Sequence, residues 1–238
     1  MAIQRALPAR NADSSATVLP SRTGPYLEAY TMPLGGGTLW LGDEGSFYQA
    51  CNATVGTGIA GHAAPVVADA DTKALLHLYN SGTKNIIPVY LHLAFSAIGA
   101  GGTISYNVMY TDDAGATARS SGGTAITPVN VKSDGSDTTG ATIYFGAVVT
   151  AMTSSRKVFA QQCREVIPVV NDTMSIFFGG IGGGLANGLT AAGTATNNIA
   201  QFAPPVVIGP GGNFNFARIR ASQSGADSYT FSFGYIER

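Results

Sequence analysis

The chain has 238 residues, with 13 basic and 14 acidic side chains and a formal net charge of −1. Charged residues make up 11% of it, against roughly 25% in an ordinary soluble domain. Such a balance provides no field that would attract nucleic acid or an anionic membrane, and sparse surface charge leaves little repulsion between copies. We therefore expect a subunit of an assembly that binds neither nucleic acid nor membrane.

The first 45 residues differ from the rest of the chain. They combine prolines, three arginines and scattered serine and threonine, and they show no sustained helical or strand period. This pattern predicts an extended N-terminal arm over residues 1–45 and a β-sandwich domain over residues 46–238. The N-terminus lacks the apolar segment of a signal peptide, so we expect no secretion.

The arm needs a partner surface to become ordered. Fixing one residue costs about 1–2 kcal/mol of backbone entropy, and the apolar side chains of the arm are too scattered to offset that cost by folding on themselves. We therefore expect the arm to lie against neighbouring subunits. The candidate subunit contacts are its arginines, which would meet carboxylates or backbone carbonyls there: Arg5, Arg10 and Arg22.

From about residue 74 the hydrophobic period is two, which is typical of half-buried strands. The segments "LLHLYN", "NIIPVYLHLAFSAI" and "TISYNVMYTDD" follow one another, and the last two are predicted to form a hairpin across "GAGG". The predicted core-facing residues of these two strands are Ile87, Val89, Leu91, Leu93, Phe95, Ile104, Tyr106, Val108 and Tyr110.

Further strands are predicted at "ATIYFGAVVT", "RKVFAQQ", "REVIPVV", "MSIFFGG", "PPVVIG", "NFNFARIRA" and "DSYTFSFGYIER". In the last of these, aromatic residues 229, 231, 233 and 235 alternate with small or polar ones, so four rings should face the core. Eight or more strands without intervening helices indicate a sandwich or a barrel. Long uneven connections over residues 112–141 and 179–203 favour an all-β, jelly-roll-like antiparallel β-sandwich.

The polar and glycine-rich segments predict turns and loops rather than phosphate-binding or calcium-binding sites. "GGIGGGLANG" is followed by no helical stripe and no Lys-Ser/Thr pair, so it is interpreted as a loop and not as a phosphate cradle. Paired aspartates lack the spacing of a calcium loop and are interpreted as turn residues. The pairs are Asp69 and Asp71, Asp112 and Asp113, and Asp134 and Asp137.

No catalytic, cofactor-binding or metal-binding residue is predicted. The sequence contains no H-E-x-x-H, C-x-x-C or G-x-S-x-G pattern, and the strand histidines His77 and His92 are interpreted as polar-face residues. A pair of carboxylates for glycoside hydrolysis stays open as an alternative, because such pairs form only in space. Cys51 and Cys163 are interpreted as two free, packed thiols, with a disulfide between them as the alternative.

One series of phrases resembles a known group of proteins: "ALLHLYNSGTKN", "SSGGTAITPVNVKSD", "VIPVVNDTMSIFFGG", "APPVVIGPGG" and a final aromatic strand ending "FGYIER". This order is similar to that of β-sandwich virion structural proteins of tailed bacteriophages, over about residues 74–238. The resemblance implies a non-enzymatic capsid decoration or head-fibre subunit, made in the host cytoplasm and located on the virion. It implies other virion proteins as partners, the major capsid protein first, together with further copies of the chain, a trimer being favoured.

Three alternatives remain beside that interpretation. The first is a tail or baseplate component. The second is a carbohydrate-binding or glycan-cleaving receptor-recognition module, because aromatic residues on the loops of a sandwich can stack on sugars. The only tryptophan, Trp40, lies near the end of the predicted arm, which weakens the carbohydrate alternative. A cellular enzyme ranks third, and its sign would be a cleft with convergent groups of strongly shifted pKa.

Overall fold

Alternating apolar and polar residues place most of the described chain in β-strands. The computed structural model describes residues 42–62, 73–102, 104–112, 120–150, 156–179, 187–188 and 198–238. Within these ranges the strands are β1 (Phe47–Cys51), β2 (Ile59–Ala60), β3 (Lys73–Asn80), β4 (Ile86–Ala97), β5 (Ile104–Asp112), β6 (Ser120–Ile126), β7 (Val129–Asn130), β8 (Ala141–Thr150), β9 (Arg156–Val166), β10 (Thr173–Phe178), β11 (Asn187–Gly188), β12 (Asn198–Ala203), β13 (Asn213–Arg220) and β14 (Ser228–Glu237).

The strands form two sheets that pack against each other. The first sheet has the order β11-β12-β10-β4-β14-β1-β7, with β2 pairing β14, and the second has the order β6-β8-β3-β13-β5-β9. Neighbouring strands are antiparallel except β10 and β12, which run parallel. Among the described residues, no helix is long and apolar enough to cross a membrane.

The connectivity of eight strands is that of a jelly roll. Successive strands of this set alternate between the two sheets in two runs. The first run is β1, β3, β4 and β5, and the second is β9, β10, β13 and β14. The resulting orders are β10-β4-β14-β1 in one sheet and β3-β13-β5-β9 in the other, which is the arrangement of two interlocked Greek keys. The predicted all-β sandwich is confirmed, and β6 with β8 extends the second sheet beside β3.

The main hydrophobic core lies between the two sheets and includes the whole aromatic face of β14. Tyr229, Phe231, Phe233 and Tyr235 are all buried, as the alternation predicts. The Phe231 ring stacks on Phe145 of β8 with centroids 3.9 Å apart and an interplanar angle of 5°. Because β14 and β8 belong to different sheets, this stack joins the two layers directly.

The predicted core face of β4 is correct for only part of the strand. Leu91, Leu93 and Phe95 are buried in the main core. Ile87 and Val89 were predicted on the same face but are only half-buried, and this part of the prediction is wrong. The inward face therefore changes phase within the strand, between residues 89 and 91.

A β-bulge explains the change of phase. In the pairing of β14 with β4, Gly234 lies opposite Tyr90 and Tyr235 lies opposite Pro88, so Val89 has no partner residue. One extra residue in a strand shifts every side chain beyond it to the other face. A Cβ on Gly234 would lie 2.4 Å from Cε1 of Tyr90, so the ring at the bulge occupies space that only glycine leaves free.

The two predicted core residues of β5 whose side chains are described are buried as predicted, but not between the two sheets. Val108 and Tyr110 are buried, but they lie in a second cluster rather than in the main core, whereas Met109 lies in the main core. The members of this second cluster are Val108, Tyr110, Ala217 and Ile219. Alternation cannot tell which face meets the other sheet when both faces of a central strand are buried. The side chains of Ile104 and Tyr106 lie outside the description.

The predicted hairpin of β4 and β5 is wrong, because the two strands belong to different sheets. Several strand boundaries also differ from those predicted. "RKVFAQQ" and "REVIPVV" contribute to one strand, β9, and "PPVVIG" contributes only an isolated bridge between Ile208 and Ile86. β1, β6 and β12 were not predicted. Residues 1–41 of the predicted arm lie outside the described part, and residues 42–45 form a turn in which Gly45 N donates to Gly42 O.

Candidate functional site

The candidate contact arginines of the arm cannot be placed. Arg5, Arg10 and Arg22 lie outside the described residues, as do Trp40, Asp69, Asp71 and Asp113. The glycine-rich segment 179–188 is described only at residues 179, 187 and 188. The prediction of subunit contacts through the arm therefore stays a prediction.

The aspartates that can be placed have local roles. Asp137 Oδ1 accepts a hydrogen bond of 2.7 Å from Asn130 N, which fixes the turn after β7. Asp134 lies 3.9 Å from Lys132 in an exposed pair. Within the described ranges, no three His, Cys, Asp or Glu side chains come together in a way that could hold a metal ion.

His77 does not lie on a polar face, and that part of the prediction is wrong. Its side chain is 1% exposed, on β3 in the second sheet, because both faces of that sheet are buried at its centre. Nδ1 lies 2.7 Å from Asn215 Oδ1, while Nε2 has no hydrogen-bond partner. Burial lowers the pKa of His77, and the bond to Asn215 opposes that shift.

The other two histidines have separate partners. Nε2 of His62 lies 3.1 Å from Ala74 O and 3.0 Å from Val148 O. His92 is half-buried on the outer face of the first sheet, and its Nδ1 lies 2.9 Å from Ser175 Oγ. Burial lowers the pKa of both imidazoles, so both are neutral at pH 7.

The outer face of the first sheet has no formal charge. Strands β1, β4, β10 and β14 contain one charged residue, Glu237, which belongs to the buried series of β14 and accepts a hydrogen bond from Thr139 Oγ1. We call the outward surface of these four strands the uncharged face. Its central side chains, all half-buried, are Gln49, Tyr90, His92, Ser175, Thr230 and Ser232.

Hydrogen bonds between neighbouring strands hold the polar groups of the uncharged face. Gln49 Nε2 donates to Ser232 Oγ at 2.8 Å, and Tyr90 OH lies 3.3 Å from the same oxygen. His92 and Ser175 form a second group on the adjoining strands. Side chains that are already paired within the sheet lose less solvation when another surface covers them.

A buried ionic cluster lies at one end of the sandwich. Arg220 Nη1 donates to Asp227 Oδ1 at 2.6 Å, and both side chains are nearly inaccessible. The same guanidinium donates to the backbone carbonyls of Gly99, Gly101 and Gly102. These bonds fix the loop after β4 against β13 and β14.

Tyr229 connects this cluster to the core. Its hydroxyl donates to Asp227 Oδ2 at 3.3 Å, and burial raises the pKa of Tyr229 well above its ordinary value. The ring lies 5.5 Å from the guanidinium carbon of Arg218. The strand β13 therefore directs two arginines towards the first sheet.

No protein-family model, no curated protein and no solved structure matches the chain. A proposal for function therefore rests on the chain's own residues.

The two buried arginines were missed at the level of the sequence, although a signal was present. In "NFNFARIR", Phe214, Phe216, Arg218 and Arg220 follow one another at a period of two. That phase places both arginines on the face of β13 that carries the two core phenylalanines. Cys51 is a free thiol, as predicted, but it is exposed and not packed as the prediction also had it. The side chain of Cys163 lies outside the description.

Proposed function

We propose that the chain is a non-enzymatic structural subunit of a tailed-bacteriophage virion, with capsid decoration or head fibre ranked ahead of tail or baseplate. The observation that carries the proposal is the uncharged face. Four adjacent strands present hydroxyl, amide, imidazole and apolar groups outward, and none of their outward positions is Lys, Arg, Asp or Glu. Covering such a face removes no charge from water, and that removal is the costly part of forming an interface.

The architecture and composition are consistent with this role. Jelly rolls form viral capsid and lectin domains, although a fold by itself does not imply a function. A chain with 11% charged residues and a net charge of −1 has little to keep copies apart. In this proposal the arm and the uncharged face contact other virion proteins, the major capsid protein first, and further copies of the chain, with a trimer favoured.

The arrangement around His92 supports a non-enzymatic role. A catalytic serine needs a base that is itself oriented by a third group and a donor set for the developing oxyanion. His92 and Ser175 are within hydrogen-bond distance, but no carboxylate of the described residues is bonded to the ring, and the pair lies on the face of a sheet. We therefore assign neither residue a catalytic role.

One observation favours carbohydrate recognition as a second candidate. Phe177 of β10 is 41% exposed and lies opposite Tyr90 of β4, so two aromatic side chains are neighbours on the uncharged face. Aromatic rings beside polar groups are what a sugar-binding surface uses. Binding of the purified protein to a glycan array, lost on Phe177→Ala, would favour this candidate over the virion role.

The primary proposal is tested with a matched pair of charge insertions. Thr230→Lys places an ammonium group on the uncharged face, and Thr124→Lys places one on an exposed position of β6. Virions of a phage that encodes each variant would be purified on a density gradient, and the copy number of the chain measured by quantitative mass spectrometry. We expect Thr230→Lys to lose most of its occupancy and Thr124→Lys to match the wild type.

Two results would contradict the proposal. The first is the absence of the wild-type chain from purified virions, and the second is full occupancy by Thr230→Lys. Thermal unfolding of both purified variants checks that an incorporation defect does not come from misfolding. Sedimentation of the purified proteins shows whether the same substitution also disrupts self-association.

A further inference from the structure

At one end of the sandwich, four loops lie side by side. The strands β10, β4, β14 and β1 are neighbours in that order in the first sheet. Their pairing registers bring the starts of β10 and β14 to the same edge as the ends of β4 and β1. We call the surface of the loops at this edge the loop end. Its residues are 167–172 before β10, 98–102 after β4, 221–227 before β14 and 52–58 after β1.

The loop end exposes no charged side chain. Its only ionisable residues are Asp172 and Asp227, which are 5% and 1% exposed. The opposite end of the sandwich is charged. Its exposed charged residues include Asp43, Glu44, Lys84, Asp134, Asp137 and Arg238. Covering the loop end therefore removes no charge from water, whereas covering the opposite end removes several.

Large aliphatic side chains project from both flanks of the loop end. On one flank, beyond β1, Val55 is 98% exposed. On the other flank, beyond β10, Ile167 is 64%, Val169 43% and Val170 47% exposed, and we call these three side chains the 167–170 patch. Two strands separate β1 from β10, so the flanks lie about 14 Å apart at the usual strand spacing. Exposed aliphatic groups that are clustered in this way mark an interaction surface.

Hydrogen bonds hold the turn that carries Val55 in place. Asn52 Nδ2 donates to Thr57 O at 2.8 Å and closes the turn. Asn52 Oδ1 accepts from Phe231 N at 2.7 Å and fixes the turn to β14. Val55 therefore stands at the top of an ordered turn.

The loop of the 167–170 patch is fixed as well. Asp172 Oδ2 accepts a hydrogen bond of 2.9 Å from Val169 N. Asn171 N donates to Phe95 O at 2.9 Å, and Phe95 N donates to Asp172 O at 3.0 Å, so the loop is bonded to β4 from both sides. Loops that are already ordered lose little conformational entropy when a partner covers them.

The composition of the loop end indicates what covers it. Its four loops contain no aromatic residue, no lysine and no arginine. Binding of sugars or bases uses aromatic rings, while binding of phosphate or of an anionic bilayer uses basic side chains. An uncharged protein surface with aliphatic groups is the complement that remains. The loop end of another copy of this chain presents such a surface.

We propose that copies of this chain contact each other through the loop end, with Val55 of one copy packed on the 167–170 patch of the next. Because the two contact groups differ and lie on opposite flanks, the contact is head-to-tail, and its repetition around an axis closes a ring. The charged ends then face away from the contacts. The proposed virion role uses the uncharged face and the arm, so this contact is a separate one and forms in the purified chain.

Sedimentation velocity of the purified full-length chain tests the contact. We expect the wild type to form a closed oligomer, whose sedimentation coefficient stops rising with concentration once the ring is complete. Val55→Lys and Val170→Asp should each weaken the association about tenfold or more, because each places an unpaired charge in the contact. The control is Val207→Asp, in the loop before β13 at the opposite end, where the valine is 59% exposed. It should sediment as the wild type does.

The double variant Val55→Lys/Val170→Asp tests whether the two groups meet. In a ring, each ammonium group lies against a carboxylate of the next copy, so the double variant should regain the oligomer and lose it again in high salt. A double variant that stays monomeric would overturn the head-to-tail contact. A wild type that is monomeric, or that instead floats with phosphatidylcholine vesicles in a manner that Val55→Lys abolishes, would overturn the proposal as a whole. Neither result depends on whether the chain is found in virions.

Discussion

Arg220 and Asp227 form an ion pair of 2.6 Å between Nη1 and Oδ1, and their side chains are 2% and 1% exposed. They are separated by only seven residues, across the turn between β13 and β14. The guanidinium of Arg220 also donates hydrogen bonds to three backbone carbonyls of the loop after β4. The pair therefore joins that loop to the two strands. One charged side chain therefore organises the end of the jelly roll from which the last strand begins.

The first prediction concerns removal of the charge from this pair. Asp227→Asn leaves Arg220 buried without its carboxylate, and breaking a buried pair from one side costs about 3–5 kcal/mol. We expect a loss of that size in the free energy of unfolding, measured by urea denaturation. The control is Asp134→Asn in the exposed pair with Lys132, for which no measurable loss is expected. Equal effects of both substitutions would contradict the buried role of Asp227.

The burial of Arg218 and Arg220 is a feature that the sequence does not predict. The period of "NFNFARIR" places Arg218 and Arg220 in phase with core phenylalanines, but a charged side chain at such a position is usually read as exposed. The burial of Arg220 depends on Asp227 and on the carbonyls of Gly99 and Gly102, which lie more than a hundred residues earlier in the chain. No pattern within one strand contains that partner, so the candidate site could not be predicted.

The second prediction is a loss of stability at acid pH that depends on His77. Burial lowers the pKa of His77 in the folded protein below the unfolded value of about 6.5. As the pH falls through 6.5, the unfolded chain takes up a proton that the folded chain does not, so stability present above that pH is lost below it.

Urea denaturation at pH 7.5 and pH 5.5 measures this effect. We expect the wild type to lose stability between the two values, and His77→Gln to lose less, because it removes a titrating group that is only 1% exposed. His92→Gln is the matched control and should flatten the dependence by a smaller amount, since His92 is half-buried. A wild-type slope that is unchanged by His77→Gln would show that His77 does not carry the effect.

The third prediction tests the contact between the two sheets. The stacked rings of Phe145 and Phe231 lie 3.9 Å apart, and such pairs couple by about 0.5–1.5 kcal/mol beyond their buried area. A double-mutant cycle with Phe145→Leu and Phe231→Leu should give a coupling energy in that range. Additive effects of the two substitutions would mean that the rings do not pack on each other across the sandwich.

This contact belongs to the part of the fold that the sequence does predict. Four aromatic residues at alternate positions of one strand require a covered face, and all four are buried. The prediction fails where a single residue shifts the phase, as at Val89. Where both faces of a strand are buried, as at Val108, alternation predicts the burial but not which face meets the other sheet. Bulges and second buried faces arise from pairing with distant strands, so a local period cannot reveal them.

The last prediction concerns the arm, on which the proposed assembly depends. Because the apolar side chains of residues 1–45 are too scattered to offset the entropy of their own ordering, we expect their ordering to require a neighbouring surface. Deletion of residues 1–30 should leave the melting temperature of the sandwich nearly unchanged and should abolish incorporation into particles. Purified deletion protein is compared with the wild type by calorimetry, and virions are compared by quantitative mass spectrometry.

A second variant distinguishes the effect of the arm's charge on incorporation from the effect of its length. Replacing Arg5, Arg10 and Arg22 by glutamine keeps all 238 residues but removes the donors that would meet carboxylates and carbonyls of a neighbour. We expect occupancy between those of the wild type and the deletion. Full occupancy of the deleted chain, or an arm packed wholly against its own sandwich, would contradict the role in assembly, because ordering would then require no neighbouring subunit.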